Sequence, residues 1–81
     1  MNIQVLLFAQ AKQLVGRDSL EVEIPDQGTV ADLLNHVVQA APELQPMQTN
    51  LLVAVNNQFA NRQQVIHPSD TVACFPPVSG G

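Results

Sequence analysis

The strongest helical pattern of the sequence lies between Thr29 and Pro42. Apolar residues recur there at the spacing i, i+3, i+4, i+7 and i+8, which places them on one stripe of a helix; they are Val30, Leu33, Leu34, Val37 and Val38. Thr29 suits the N-cap position, Asp32 forms a shortened capping box with it, and Pro42 ends the helix. A single apolar stripe must be buried, so the other apolar segments are expected to form the surface that covers it.

Those other segments show the alternation, or the short continuous apolar run, that is typical of β-strands. Strands are predicted at Met1 to Phe8, Leu20 to Ile24, Leu51 to Val55 and Thr71 to Phe75, with a short one near Gln58 to Ala60. A short helical segment is expected from Ala9 to Val15, turns at Asn56-Asn57 and at His67 to Asp70, and a polar loop from Glu43 to Asn50.

The order of these elements is strand, strand, helix, strand, short strand, strand. One helix packed on a mixed sheet, with the first and last strands side by side in its centre, buries the apolar faces economically. The predicted class is therefore α+β, with the β-grasp or ubiquitin-like fold. Residues 1–75 are expected to form this domain, and residues 76–81 an extended Gly-Gly tail.

Composition narrows the function. The chain has 81 residues and a net charge of -4, so it suits one small domain and would repel nucleic acid. The longest apolar runs have five residues, far short of a membrane span, and the N-terminus lacks the pattern of a secretory signal, so a cytoplasmic location is expected. One cysteine and two scattered histidines, His36 and His67, indicate neither an internal disulfide nor a metal site.

Strand alternation predicts a sheet with two apolar faces. The face toward the helix is expected to hold Ile3, Val5, Leu7, Leu51, Val53, Val55, Val72 and Cys74. The opposite face, here called the outer face, would hold Leu6, Phe8, Leu52, Ala54, Ala73 and Phe75. An exposed apolar patch usually marks a partner surface, with Phe8 and Phe75 as its anchors, although scattered exposed apolar residues are also normal.

The end of the chain, Phe75-Pro76-Pro77-Val78-Ser79-Gly80-Gly81, has the properties of a reactive arm. Two prolines stiffen it, and two glycines without β-carbons can enter a narrow channel. Adenylation by ATP would activate the terminal carboxylate, and a sulfur nucleophile could then displace AMP and leave a thiocarboxylate. The plain alternative is a frayed end or an expression remnant.

At these residues the sequence resembles the small subunits of molybdopterin synthase, a family of ubiquitin-like sulfur carriers. The resemblance covers the whole chain, and its most specific part is the Phe-Pro-Pro-Val-Ser-Gly-Gly ending. It is also carried by Val5 to Ala9, Leu14 to Gly16, Ala54 to Asn56 and Asp70 to Cys74. Family members often have arginine then glutamate where Lys12 and Gln13 stand here, so no interface role is assigned to Lys12.

The resemblance implies that an adenylyltransferase similar to ubiquitin-activating enzymes uses ATP to adenylate Gly81, which then becomes a thiocarboxylate. The tail, comprising Pro76, Pro77, Val78, Ser79 and Gly80, would enter the large synthase subunit. There Gly81 would donate sulfur to a cyclic pyranopterin monophosphate, building the dithiolene that holds molybdenum. The assembly would contain two small and two large subunits, and the chain would bind no cofactor and catalyse nothing alone.

Three alternatives remain open: a sulfur carrier for another pathway such as thiazole assembly, a protein modifier that forms isopeptide bonds, and an interaction module with an inert tail. The remaining polar and sulfur-containing residues are not expected to take part in a reaction. Cys74 is expected in the core, and Ser79 has no activating partner. His36 is expected to be solvated, as is the acidic cluster of Glu21, Glu23 and Asp26.

Overall fold

The computed structural model describes residues 1–77, so the predictions for Val78, Ser79, Gly80 and Gly81 lie outside the described residues. The elements in chain order are β1 (Asn2–Leu7), α1 (Ala9–Val15), β2 (Ser19–Glu23), α2 (Val30–Ala40), a 3₁₀ helix (Pro42–Asn50), β3 (Leu52–Val55), β4 (Gln58–Phe59) and β5 (Val72–Phe75). The predicted strands and both predicted helices are confirmed within one or two residues of their ends.

The five strands form one mixed sheet in the order β2-β1-β5-β3-β4. β1 and β5 are parallel neighbours in the centre, with Leu7 opposite Cys74, and the other pairs are antiparallel. This topology confirms the predicted β-grasp fold. It also means that the chain leaves the sheet from the middle strand rather than from an edge.

α2 begins at the predicted capping box. The Thr29 amide donates to Asp32 Oδ2 at 3.0 Å, and the Asp32 amide donates to Thr29 Oγ1 at 3.3 Å. These two bonds satisfy amides that have no partner within the helix. The five stripe residues of α2 are buried, and so are all eight residues predicted to face it from the sheet. The register predicted from alternation is therefore confirmed.

The predicted loop from Glu43 to Asn50 is wrong, because this segment forms a 3₁₀ helix. Leu44 is completely buried within it, and the Arg62 guanidinium donates to the carbonyls of Gln48 (3.3 Å) and Thr49 (3.0 Å) at its end. A single buried leucine shows no period along the sequence, and the arginine that holds the last turn comes from a distant loop. Neither feature can be read from the sequence of the segment itself, which therefore has the pattern of a polar loop.

The two turns that flank β3 and β5 are tied together by Asn56. Asn56 and Asn57 have positive φ values of 54° and 69°, as a tight hairpin turn requires. The Asn56 side chain accepts from the Thr71 amide and donates to Asp70 Oδ1, both at 2.9 Å, while the His67 amide donates to Asp70 Oδ2. This network fixes the start of β5 against the β3–β4 hairpin.

Within residues 1–77, none of the helices has the length and apolarity needed to cross a membrane.

Candidate functional site

The outer face carries the two aromatic residues singled out in the sequence. Phe8 is 50% exposed at the end of β1, and Phe75 is half-buried at the end of β5. Leu52, which pairs with Phe75 across β3 and β5, is 36% exposed. The predicted outward orientation of these residues is thus observed, and their binding of a partner stays a prediction.

Phe59 is the outer-face residue that sequence reasoning missed. It pairs with Ala54 across the β3–β4 hairpin, which places both side chains on the outer face, and it is 75% exposed. Its ring lies 5.9 Å from that of Phe75, centroid to centroid, with the planes tilted by 51°. The signal was present, because a two-residue turn at Asn56-Asn57 fixes the register that puts Phe59 opposite Ala54.

The outer face is apolar on one side and acidic on the other. Residues on β1, β5, β3 and β4 supply the apolar side, while β2 adds Glu21 and Glu23 opposite Gln4 and Asn2. Both glutamates are exposed, as predicted. The apolar part is therefore bounded by charge along the β2 edge.

The apolar part of the outer face lies at the point where the chain leaves the sheet. The Phe8 amide donates to the Cys74 carbonyl at 3.3 Å, so Phe8 sits beside the end of β5. Pro76 follows half-buried and Pro77 exposed. The two prolines that end the described residues therefore directly follow the apolar part of the outer face.

The Cys74 thiol is buried and unsuited to sulfur chemistry. Desolvation in the core raises its pKa to about 11, against a smaller opposing effect of the Arg62 charge. At neutral pH it is a protonated thiol inside a central strand, which makes it a poor nucleophile. The predicted core role of Cys74 is consistent with this position.

The remaining polar residues form no second centre in the described part of the chain. Lys12 makes an ion pair with Asp18 at 2.9 Å, and both side chains are exposed. His67 is exposed, but His36 is half-buried rather than solvated, because it follows Leu33 by three residues and lies at the margin of the apolar stripe. Residues 1–77 bring together no group of three or more potential metal ligands.

The fold and this outer face define a ubiquitin-like β-grasp protein. The model of the ThiS family matches residues 5–81, and the chain belongs to that family. It is 40% identical to the Escherichia coli molybdopterin synthase sulfur carrier subunit, over 98% of this chain and 99% of that protein. The Dictyostelium discoideum protein of the same name is 35% identical over 99% of this chain and 96% of its own length.

Solved structures agree with the fold. The crystal structure of small archaeal modifier protein 1 from Haloferax volcanii has a TM-score of 0.85 and 26% identity, covering 95% of this chain and 98% of that one. A putative molybdopterin converting factor subunit 1 from Pyrococcus furiosus has a TM-score of 0.83 and 26% identity, covering 96% and 99%.

Proposed function

We infer that this chain is a sulfur carrier subunit of molybdopterin synthase and acts in molybdenum cofactor biosynthesis. The observation that carries this conclusion is its similarity to sulfur carrier subunits of that synthase over nearly the full length of both chains. The apolar outer face at the exit of β5 supports it, since a carrier must be held by the proteins that load and unload it.

The reactive group of the proposal is the carboxylate of Gly81. Its oxygen attacks the α-phosphorus of ATP and pyrophosphate leaves, giving an acyl adenylate. A sulfide-level nucleophile then adds to the carbonyl carbon and AMP leaves, giving a thiocarboxylate. Sulfur passes from it to the cyclic pyranopterin monophosphate, and oxygen from water restores the carboxylate. The buried Cys74 thiol takes no part, and the chain itself binds no cofactor and catalyses none of these steps.

This chemistry requires two partners, an adenylyltransferase similar to ubiquitin-activating enzymes and the large synthase subunit. The resemblance to the family implies an assembly of two small and two large subunits. Phe8 and Phe75 would anchor the outer face in the interface, joined by the more exposed Phe59. Pro76 to Gly80 would enter the partner, which must supply the cations that hold the terminal carboxylate, since Thr71 to Gly80 carry no charged side chain.

Intact mass spectrometry tests the loading step. The chain is incubated with the adenylyltransferase, ATP and a sulfide donor, and we expect one oxygen to be replaced by sulfur at the C-terminus. A variant with one residue added after Gly81 is the matched control and should stay unchanged. Addition of the large subunit and the precursor should return the carboxylate. Sulfur incorporated equally into the extended control would contradict the assignment to Gly81.

A protein modifier is the second candidate, because the fold matches a small archaeal modifier protein at 26% identity. The same adenylate would then be attacked by a lysine amine, forming an isopeptide bond. Peptides that carry a Gly81-lysine linkage after incubation without a sulfur donor would support this reading. Their absence, with the thiocarboxylate formed when sulfide is added, would support the sulfur carrier.

A further inference from the structure

The end of β5 is hydrogen-bonded on both sides, and its ladder with β1 stops at a proline. Leu7 pairs with Cys74, and the Phe8 amide donates to the Cys74 carbonyl at 3.3 Å. In a parallel ladder the next bond runs back from the other strand, from the amide of residue 76 to the carbonyl of Phe8. Pro76 has no N–H to donate. The Phe8 carbonyl instead accepts from the Lys12 amide at 3.4 Å, in the first turn of α1.

The ladder with β3 stops at the other proline. The Asn56 amide donates to the Thr71 carbonyl at 2.8 Å, so this is a hydrogen-bonded position of the antiparallel pair. Such positions alternate with non-bonded ones. The register Ala54–Ala73 and Leu52–Phe75 therefore continues the bonded series, and the next bonded pair would be residues 50 and 77. Residue 50 is Asn50, the last residue of the 3₁₀ helix, and Pro77 lacks the N–H that would donate to its carbonyl.

Successive amides of an extended strand point to opposite neighbours, so one proline blocks only one side. We propose that Pro76 and Pro77 are paired stops, Pro76 ending the ladder with β1 and Pro77 ending the ladder with β3. Both central neighbours of β5 are then prevented from extending their pairing past Phe75. The two residues are thereby positioning residues for the C-terminal glycine, a role that rests on the proposed function.

The geometry of β1 adds to this assignment. Ala9 adopts a left-handed φ of 56°, which turns the chain into α1 directly after Phe8. The Phe8 carbonyl is thus the last acceptor that β1 offers to β5. An N–H at position 76 could donate to the Phe8 carbonyl and add one more bond to the β1–β5 ladder. Pro76 has no such N–H.

Hydrogen exchange of the isolated chain tests the stops directly. The variants are Pro76→Ala and Pro77→Ala, with Pro68→Ala as the matched control, because Pro68 is an exposed proline at the other end of β5. Each new amide at position 76 or 77 should exchange about fivefold more slowly than an unstructured amide, the ratio expected for one net backbone hydrogen bond. Exchange of both amides at the unstructured rate would overturn the proposal.

The functional arm measures the rate of thiocarboxylate formation at saturating adenylyltransferase, together with the affinity of each variant for the large subunit. Pro76→Ala and Pro77→Ala should each slow thiocarboxylate formation several-fold, the double variant most, and Pro68→Ala should leave it unchanged. Protected amides with an unchanged rate would refute the positioning role. If the unaltered chain forms no thiocarboxylate at all, the proposed function fails, while the exchange result still decides the ladder stops.

Discussion

Phe59 provides the sharpest test of the outer face, because it is the most exposed aromatic side chain there. We expect Phe59→Ala to weaken binding to the large subunit. A phenylalanine side chain has about 200 Å² of surface, and 75% of Phe59 is exposed. About 150 Å² is therefore available, which at about 25 cal/mol per Å² sets an upper limit of about 4 kcal/mol. Because only part of the energy of burying this area appears as binding free energy, we expect Phe59→Ala to cost about 2 kcal/mol of binding free energy, or roughly a 30-fold rise in Kd.

The same change should lower the stability of the isolated chain by less than it weakens binding. The Phe59 ring packs against the Phe75 ring in a tilted arrangement, and such aromatic pairs contribute about 0.5–1.5 kcal/mol to stability. Titration calorimetry with the large subunit would give Kd, and urea unfolding of the isolated chain would give stability. Phe8→Ala should weaken binding less than Phe59→Ala, since Phe8 is 50% exposed. Val65→Ala, at an exposed residue that pairs with Thr29 away from the outer face, is the control.

If Phe59→Ala leaves Kd unchanged while Phe8→Ala raises it, the interface does not include β4. Unchanged values for both variants would remove the outer face from the interface altogether.

Three further predictions concern the core and the turns. Leu44→Ala should cost about 2–5 kcal/mol in urea unfolding, because Leu44 is completely buried in the 3₁₀ helix; a cost below 1 kcal/mol, at the scale of a surface change, would contradict that packing. The Cys74 thiol should react with a thiol reagent only when the chain opens, because the side chain is completely buried and burial also raises its pKa to about 11; rapid labelling of the folded protein would contradict its burial. The His67 amide and the Asn56 side chain lower the pKa of Asp70 below its ordinary value of 3.8, so its stabilising effect is present above that pH and lost as the pH falls through the folded pKa. Asp70→Asn should therefore reduce stability at neutral pH and flatten its loss in acid, measured as urea midpoints across the pH range.

Where the sequence repeats its apolar residues with a clear period, it predicts the fold well. The stripe from Val30 to Val38 and the alternation in β1, β2 and β5 each identify one element and its buried face. The β1–β5 pairing is expected because one helix on a mixed sheet, with the first and last strands side by side, buries the apolar faces economically.

Two of the missed features depend on contacts between distant residues, and one depends on a strand too short to show a pattern. The 3₁₀ helix is held by Leu44 and by Arg62, which lies beyond β4, so its own composition reads as a polar loop. Phe59 belongs to a two-residue strand, which is too short to show alternation, and only its register with Ala54 reveals the face it joins. The bonds between Asn56 and Asp70 likewise join two turns that are far apart in sequence.

The parallel pairing of β1 with β5 has a consequence for synthesis. β1 can pair with β5 only after all the elements that lie between them in the sequence have been synthesised. A product truncated before Val72 lacks the strand on which both halves of the sheet assemble, and it cannot close the core around α2. Partial chains that end before β5 therefore also lack Ala73 and Phe75 of the outer face.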